Sequence, residues 1–513
     1  MSLDEKLTEL AERRERLKLG GGADAIAKQH AAGRSTARER VALLADPETF
    51  HELGLFARHR ATHFGMESRE VPADAVVTGS VQVDQRPVFV ASQDFTASGG
   101  SAGEVHCNKI VETMNLAMKT GSPFVFINDS GGARVQEGID GLAGYARVFR
   151  TNVMLSGVVP QISIVAGPCA GGAAYSPALT DFIIHVKGAQ MFITGPQVIK
   201  QVTGEVVSAD ALGGPDAQTA SGVVHFIARD DAHAIEICRA LLSFLPANNL
   251  EDPPRRPWDE DIPPDPTFRE VVPGDPKQAY DVRAVVALTV DRGEFLEVQP
   301  GFAPNLVVGF GRVAGQPVGV VANQPSVLAG ALDIDASDKA SRFIRFCNAF
   351  NVPLLSFVDV PGFLPGVEQE RGGIIRHGAK MLFAFAAATV PKVTVVLRKA
   401  YGGAFVAMCS KDLGADRVYA WPTAEIAVMG PEGASEIVFR REIAAAADPA
   451  AKRRELTDEY RKAFLSPFLA AARAQADDII DPADTRRFVA IALDTLGTKR
   501  ELRPAKKHGL IPL

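Results

Sequence analysis

The chain carries the same ordered set of motifs twice, and this repetition is the strongest constraint on its fold. The segment PFVFINDSGG from Pro123 is similar to PLLSFVDVPG from Pro353. Further along, VPQISIVAGPCAGGAAYS matches VPKVTVVLRKAYGGAFVA, and AQMFITGP matches AEIAVMGP, with almost unchanged spacing between the copies. Chance is a poor explanation for so many aligned residues in one order. The sequence therefore predicts two related halves that arose by internal duplication.

A proline-rich stretch lies between the two copies. Residues 246–276 contain nine prolines among many acidic residues. Because proline lacks the backbone N–H that helices and central strands use, this stretch is predicted to form a linker over the surface. The predicted organisation is an N-terminal domain at 1–245, the linker at 246–276, and a C-terminal domain at 277–513.

In each half, short apolar runs alternate with helical patterns. Near-continuous apolar runs are typical of strands that are covered on both faces, so the predicted fold class is α/β. The C-terminal region at 441–500 is predicted to be mainly helical, with breaks at Pro467 and Pro482. The predicted strands are 88–93, 124–128, 161–166, 182–186 and 190–194 in the first half, and 318–322, 354–359, 392–398, 417–420 and 424–429 in the second.

Composition narrows the possible functions. The net charge of −6 gives no electrostatic reason to expect nucleic acid or an anionic membrane as a partner. Five scattered cysteines without a CxxC pair predict reduced thiols and a cytoplasmic location. Residues 1–18 lack the apolar core of a signal peptide, and no apolar run is long enough for a membrane span. Instead, Leu3, Leu7, Leu10 and Leu17 predict an amphipathic helix that docks on another surface.

Glycine-rich turns follow several of the predicted strands. Glycine lets the backbone approach a ligand closely, and the free N–H groups of a following helix can hold an anion or an oxyanion. The alternative interpretation is that these are only tight turns between strand and helix. AGG and YGG occupy equivalent places in the two halves, which favours a functional role for that pair. The turns are SGGSAG (98–103), SGGAR (130–134), AGG (170–172) and YGG (401–403).

The usual catalytic side-chain patterns are missing. HExxH and the phosphate-binding P-loop are absent, so no metal site or ATP site is predicted. His106 and His377 are interpreted as core or surface residues, and Asp129 and Asp359 as caps of the turns that follow them. Lys119, in LAMKT, resembles a biotin attachment lysine. It ends a helical pattern, whereas a biotinyl lysine needs a hairpin turn, so biotinylation is not predicted.

Several long motifs resemble one family. On these motifs the chain resembles, over nearly its full length, the carboxyltransferase (β) subunits of biotin-dependent acyl-CoA carboxylases of the propionyl-CoA type. It also resembles the α subunits of biotin-dependent decarboxylases such as methylmalonyl-CoA decarboxylase. The motifs are TARERVALLAD (36–46), INDSGGARVQEG (127–138), GPCAGGAAYSPALTD (167–181), VDVPGFLPG (358–366), RKAYGGA (398–404), YAWPTAEIAVMGP (419–431) and KKHGLIPL (506–513).

The resemblance implies a fold and an assembly. Each half is expected to be a crotonase-superfamily domain, the ββα-spiral fold, so that two such domains stand in tandem. The subunit is expected to form a homohexamer, a dimer of trimers, with each active site between the N-terminal half of one subunit and the C-terminal half of another. Its expected partners are acyl-CoA and a separate biotin carboxylase or biotin carrier subunit that supplies carboxybiotin.

The resemblance also implies roles for the glycine turns. The N–H groups of Gly171 and Gly172 are expected to hold the oxyanion of the acyl-CoA thioester. The remaining expected site residues are Gly402, Gly403 and Ala404 on the biotin side, and Gly131, Gly132, Ala133 and Tyr175 beside the acyl-CoA. The implied chemistry uses the ureido nitrogen of biotin as the base, which accounts for the missing side-chain base, and the protein stabilises two transient oxyanions.

One residue departs from the propionyl-CoA pattern. Members of that type usually carry aspartate where this chain has Val406, and a valine makes the pocket more apolar. Acetyl, propionyl, butyryl and longer acyl chains therefore remain open as substrates, as do the identity of the carrier and the direction of the reaction. The alternatives are a decarboxylase subunit that works with a membrane Na+ pump, a crotonase-type hydratase or isomerase without biotin, and a non-catalytic scaffold.

Overall fold

The chain folds into two compact units, one ending at Glu251 and the other beginning at Asp252. The computed structural model describes residues 2–513. The division between the units falls inside the predicted linker. Each unit is built on one eight-stranded mixed sheet. The strands of the first unit are β1 His51–Leu53, β2 Val76–Val83, β3 Arg86–Gln93, β4 Phe124–Ser130, β5 Gln161–Ala170, β6 Phe182–Val186, β7 Gln190–Phe192 and β8 Phe226–Ala228.

The sheet of the first unit changes from antiparallel to parallel along its width. The strand order is β1-β2-β3-β4-β5-β6-β8, and β7 pairs with the far end of β5. β1, β2 and β3 pair antiparallel, and all later pairings are parallel. In the central register Val90 pairs with Val125, and Val125 pairs with Ile162. Every residue of β4 is buried, as expected for a strand that is covered on both faces.

The second unit repeats this sheet strand for strand. The order is β9-β10-β11-β12-β13-β14-β16, with β15 on β13 where the first unit has β7 on β5. This repetition confirms the predicted fold class of two tandem α/β units. The strands are β9 Leu296–Val298, β10 Leu306–Val313, β11 Gln316–Asn323, β12 Leu354–Val360, β13 Lys392–Tyr401, β14 Arg417–Ala420, β15 Glu425–Ala427 and β16 Asp478–Ile479.

All ten predicted strands are present, with β7 and β15 shorter than predicted. The strands that the sequence did not reveal are the antiparallel members β1, β2, β9 and β10, together with the short edge strands β8 and β16. The run of β2, VVTGSVQV, is interrupted by small and polar residues, so apolar continuity does not identify it. Short edge strands carry too few residues to show a period.

The helices cover the sheets and begin at recognisable caps. In α1, Ser2 and Glu5 form a reciprocal capping box, and the predicted N-terminal helix is confirmed. Leu17 of this helix is buried, whereas Leu3 and Leu7 stay exposed. The helices of the first unit are α1 Leu3–Lys18, α2 Ala23–Ala31, α3 Ala37–Leu44, α4 Glu104–Thr120, α5 Ile139–Leu155, α6 Gly172–Ala178, α7 Pro196–Thr203, α8 Ala209–Gly213, α9 Pro215–Ala220 and α10 Asp231–Phe244.

The C-terminal region is mainly helical, as predicted. Pro467 and Pro482 each start a helical segment, because proline is tolerated in the first helical turn. Among residues 2–513, none of the helices has the length and apolar character needed to cross a lipid bilayer. The helices of the second unit are α11 Phe268–Val271, α12 Arg283–Thr289, α13 Ile334–Ala349, α14 Val367–Gly372, α15 Ile374–Ala387, α16 Gly402–Ala407, α17 Pro431–Val438, α18 Arg440–Ala445, α19 Pro449–Phe464, α20 Pro467–Ala472 and α21 Thr485–Thr495.

Part of the proline-rich stretch belongs to the core of the second unit. Helix α11 lies within it, so the prediction that this stretch contains no helix is wrong over these four residues. Phe268 is fully buried, and its ring meets the ring of Trp421 edge-on at 6.4 Å. The Trp421 indole N–H donates to Thr485 Oγ1 at 2.9 Å. Burial of an aromatic ring outweighs the weak helix propensity around it.

Candidate functional site

The first glycine turn joins the carboxyl end of β5 to α6. Gly171 has φ +60°, a left-handed conformation that side-chain-bearing residues rarely adopt. Its N–H donates to the Phe192 carbonyl at 3.0 Å and is therefore occupied. Gly172 and Ala173 are the first residues of α6, where no preceding helical turn accepts their N–H groups. Within the turn, the Gly171 N–H is therefore engaged, whereas those of Gly172 and Ala173 have no helical acceptor.

The second glycine turn joins β13 to α16 in the same way. Gly402 has φ +59°, almost the value at Gly171. Gly403 and Ala404 lie in the first turn of α16, so their N–H groups are also without a helical acceptor. A Cβ placed on Gly403 would have only the Phe363 ring nearby, at 3.9 Å. The side of Gly403 where a side chain would stand therefore borders open space.

Gly131, Gly132 and Ala133 lie against the first turn. They follow β4, which pairs with β5 through Ser130 and Cys169. Gly132 has φ +100°, and a Cβ there would come within 3.0 Å of the Ala170 carbonyl oxygen. The structure thus brings together the two segments of the first unit that were predicted to contact acyl-CoA.

Tyr175 ends a stack of three aromatic rings beneath the first turn. The ring of Tyr145 lies 5.8 Å from that of Phe149, which lies 5.9 Å from that of Tyr175. Tyr145 is buried under Gly172, where a Cβ would approach its ring to 3.3 Å. Tyr175 itself is half exposed. The stack therefore connects the buried support of the turn to a surface that a substrate can touch.

Val406 lies one helical turn beyond Gly403 on α16 and is 38% exposed. It lies on the same helix as the second turn, and its role in a substrate pocket stays a prediction. Its partial exposure means that a substituent there can meet a bound ligand.

The strand-ending aspartates form buried ion pairs, so the expectation that they cap turns is wrong. Asp129 accepts from Arg40 Nη1 at 2.8 Å, and the same guanidinium bonds Asp231 through Nε at 3.0 Å. Asp359 accepts from Arg398 Nε at 2.8 Å. A buried carboxylate without such a partner would be strongly disfavoured. These pairs anchor the strands immediately before the residues that shape each site.

The two histidines singled out in the sequence have structural partners. His106 is fully buried on α4, and its Nδ1 lies 2.8 Å from the Asp74 carbonyl oxygen. Burial, reinforced by the nearby Arg134 guanidinium, lowers the pKa of His106 to about 3. His377 Nδ1 lies 2.9 Å from both carboxylate oxygens of Asp338. His106 is therefore a core residue, and His377 belongs to a polar contact with Asp338.

A duplicated lysine was missed at the sequence level. Lys109 on α4 and Lys339 on α13 occupy equivalent places and are both buried. The Lys109 ammonium donates to the Ala73 carbonyl at 2.7 Å, and Lys339 donates to the carbonyls of Phe302 and Leu306 at 2.8 and 2.7 Å. Burial lowers the pKa of Lys109 to about 8 and that of Lys339 to about 7. The alignment of the two halves contained this signal, because Lys109 follows the end of β3 by the same number of residues as Lys339 follows the end of β11.

No group of three or more potential metal ligands occurs in the described part of the chain, residues 2–513. All five cysteines are free and buried. Lys119 lies in the last turn of α4, not on a hairpin.

The duplicated sheet, with a glycine turn at the same place in each unit, defines a tandem crotonase-like protein. The family model for the carboxyl transferase domain matches residues 28–511. The chain belongs to this family, as a carboxyltransferase that moves a carboxyl group between biotin and an acyl-CoA.

Individual relatives cover the whole chain. The methylmalonyl-CoA carboxyltransferase 12S subunit of Propionibacterium freudenreichii subsp. shermanii is 60% identical over 100% of this chain and 98% of its own length. The propionyl-CoA carboxylase carboxyltransferase subunit of Haloferax mediterranei is 54% identical over the full length of both chains. The methylmalonyl-CoA decarboxylase subunit alpha of Propionigenium modestum is 54% identical over 99% of each chain.

The fold comparison agrees with the sequence comparison. A crystal structure of transcarboxylase 12S, described as a hexamer assembly with methylmalonyl-coenzyme A bound, superposes with a TM-score of 0.98. It covers 100% of this chain and 99% of the 12S chain.

Proposed function

We propose that this chain transfers a carboxyl group between carboxybiotin on a separate carrier protein and a three-carbon acyl-CoA, the propionyl-CoA and methylmalonyl-CoA pair. The observation that carries the proposal is the pair of equivalent glycine turns, one in each unit, each presenting two backbone N–H groups. The substrate pair is supported by the three relatives named above, each of which is a propionyl-CoA or methylmalonyl-CoA enzyme. Acetyl, butyryl and longer chains then become poorer substrates.

The chain's own contribution is electrostatic. The N–H groups of Gly172 and Ala173 stabilise the enolate oxygen that develops on the thioester. Those of Gly403 and Ala404 stabilise negative charge on the ureido oxygen of biotin. Fixed backbone donors need no reorganisation as charge develops, and removal of one such donor costs about 10²- to 10³-fold in rate.

Biotin, when bound, supplies the ureido nitrogen that takes up the acyl α-proton. The residues present fit that division of labour. The His106 side chain is buried and neutral, and the described cysteines are all buried. Gly403 borders open space, so a planar ureido ring can approach its N–H closely. No side-chain base is required at either turn.

We further propose a homohexamer in which the acyl-CoA half of one subunit meets the biotin half of another. The relative of known structure is a hexamer. In this chain, large apolar residues remain exposed in both units, including Ile139 and Leu142 in the first and Ile375 and Val438 in the second. Exposed apolar residues in such numbers are typical of an interface. A cytoplasmic location is supported by the five free thiols.

A decarboxylase subunit is the second candidate, favoured by the 54% identity to methylmalonyl-CoA decarboxylase subunit alpha. Both candidates use the same half-reaction, so the distinction lies in the partners. Isolation of the native complex distinguishes them: a biotin carboxylase subunit indicates the carboxylase, and an integral membrane subunit indicates the decarboxylase.

The experiment that tests the proposed function uses the purified full-length chain with free biotin. Malonyl-CoA, methylmalonyl-CoA and ethylmalonyl-CoA are supplied in parallel, and loss of the carboxyl group is followed. The expected result is biotin-dependent decarboxylation that is fastest with methylmalonyl-CoA. If there is no loss with any substrate, the assay is repeated with a biotinylated carrier domain. Inactivity in that assay as well would overturn the proposal.

A further inference from the structure

The second glycine turn has a support that the first turn lacks. Tyr401 immediately precedes Gly402, and its hydroxyl donates a hydrogen bond to Glu425 Oε2 on β15. Arg461 of α19 lies on the other side of this carboxylate, with Nη1 3.4 Å from Glu425 Oε1. Burial raises the pKa of Tyr401, and the hydrogen bond to Glu425 raises it further, so the phenol remains a donor.

The Tyr401 ring also contacts the backbone that follows β15. A Cβ built on Gly430 would approach the ring to 3.3 Å, and a Cβ on Gly402 would approach the Val428 carbonyl to 2.9 Å. The turn, the β15–α17 segment and α19 are therefore held together at one point. A second contact of Arg461, 3.5 Å from Glu432, joins α17 to the same group.

The duplication supplies an internal comparison. In the alignment of AQMFITGP with AEIAVMGP, Gln190 stands where the second unit has Glu425, and Ala170 stands where it has Tyr401. Both partners of the hydrogen bond are thus different in the first unit. Gln190 instead donates to the Gly188 carbonyl at 2.9 Å. A Cβ built on Gly171 would lie 3.8 Å from the Ile193 carbonyl oxygen, a looser approach than the 2.9 Å at Gly402. The additional support is specific to the turn on the biotin side.

We propose that Tyr401, Glu425 and Arg461 form a clamp that positions the N–H groups of Gly403 and Ala404 for biotin, while the acyl-CoA turn does without one. The three are positioning residues that act through the turn. The effect of the clamp on biotin rests on the proposed function, but the ordering of the turn by the clamp can be measured independently. A flexible turn would have to be ordered each time biotin binds, which weakens binding and misaligns the donors.

The first test is hydrogen exchange measured by mass spectrometry on the full-length chain. Tyr401→Phe removes only the hydroxyl, and Glu425→Gln removes the charge while keeping the shape. Both are expected to speed exchange in peptides that cover 401–408 and to leave peptides that cover 170–178 unchanged. The matched control is Gln190→Ala, which alters the equivalent position of the first unit and is expected to leave 401–408 unchanged.

The second test is kinetic and uses decarboxylation of methylmalonyl-CoA with free biotin. In Tyr401→Phe and in Glu425→Gln, kcat/KM for biotin is expected to fall about tenfold, while KM for methylmalonyl-CoA stays unchanged. The double variant should be no worse than either single variant, since both weaken the same Tyr401–Glu425 contact.

The outcomes separate the two proposals. If both variants keep wild-type exchange at 401–408, or lose activity equally toward both substrates, the clamp is overturned. If the wild type itself shows no biotin-dependent reaction, even with a biotinylated carrier, the proposed function fails, and the exchange data still decide whether the clamp orders the turn.

Discussion

Individual backbone N–H groups carry the proposed chemistry, so a test at the residue scale must remove one N–H group at a time. Glycine at 171 and 402 is required by positive φ, whereas Gly403 and Gly172 are helical residues that contribute an N–H. Shape and donation are therefore divided between neighbouring glycines in each turn.

Gly403→Pro removes one donor from the second turn. Proline is tolerated in the first turn of a helix, so the fold is expected to survive. We expect kcat for biotin-dependent decarboxylation to fall about 100-fold. Gly403→Ala is the matched control, because its Cβ has open space and its N–H is retained, and it should keep activity within about threefold of the wild type. Equal losses in both variants would show that the N–H is not the important group.

Val406→Asp tests the effect of the apolar side chain beside the second turn. An aspartate near the acyl chain makes the pocket more polar, so longer apolar substituents should be penalised more than a methyl group. We expect kcat/KM for ethylmalonyl-CoA relative to methylmalonyl-CoA to fall about tenfold. Val406→Ile is the control that keeps the side chain apolar, and an unchanged ratio in the aspartate variant would place Val406 outside the acyl pocket.

At the scale of elements, buried polar groups connect the helices to strained loops. Asp74 lies in a segment with positive φ, accepts the His106 N–H at 2.7 Å and pairs with Arg134 of the SGGAR turn. One network thus holds the loop before β2, helix α4 and the turn after β4. The buried lysines act similarly in both units, because each ammonium satisfies carbonyls that a strained loop leaves exposed to the core.

The Asp74–His106–Arg134 network predicts a stability that depends on pH. His106 is neutral when folded, with a pKa of about 3, whereas in the unfolded chain it takes up a proton below about pH 6.5. The contribution of neutral His106 to the free energy of unfolding is therefore complete above about pH 6.5 and is lost as the pH falls toward 3. Between pH 6.5 and 4.5 the loss should be about 2 kcal/mol. Urea denaturation at several pH values measures it, and His106→Gln should flatten the profile over that interval.

Lys339→Met tests the lysine anchor of the second unit. The substitution keeps the apolar stem but leaves the carbonyls of Phe302 and Leu306 without their donor. We expect a loss of about 3 kcal/mol in the free energy of unfolding, measured by urea denaturation. The control is Lys119→Met on an exposed face of α4, which should change stability by less than about 0.5 kcal/mol. A neutral Lys339→Met variant would contradict the anchoring role.

At the scale of the whole molecule, the exposed apolar residues make the assembly testable. Ile139 is 72% exposed at the start of α5, close in sequence to the SGGAR turn. We expect Ile139→Glu to dissociate the hexamer into smaller species and to abolish activity, because a charge cannot be buried unpaired in an interface. Light scattering after size-exclusion chromatography measures the mass. Leu250→Glu, at an exposed apolar residue elsewhere on the chain, is the control and should leave the hexamer intact. A hexameric Ile139→Glu variant would exclude the surface around Ile139 from the interface.

Sequence patterns predicted the central parallel strands because burial on both faces produces continuous apolar runs such as those of β4 and β12. The antiparallel strands β2 and β10 escaped prediction, because their patterns are interrupted by glycine and polar residues. Helix α11 also escaped, because its place in the core depends on the distant Trp421. Local sequence patterns thus predicted the strands whose own residues form a continuous apolar run, and they missed elements whose position depends on distant residues.

By itself, the sequence determined the duplication, the α/β class, the two glycine turns and the family, since each is written in the order of residues along the chain. Only the tertiary structure decided that Asp129 and Asp359 are buried ion pairs, that the Gly171 N–H is already occupied, and that Tyr401 meets Glu425. The physical reason is that a hydrogen bond is made between groups brought together by folding. A donor's availability depends on partners that no local pattern specifies.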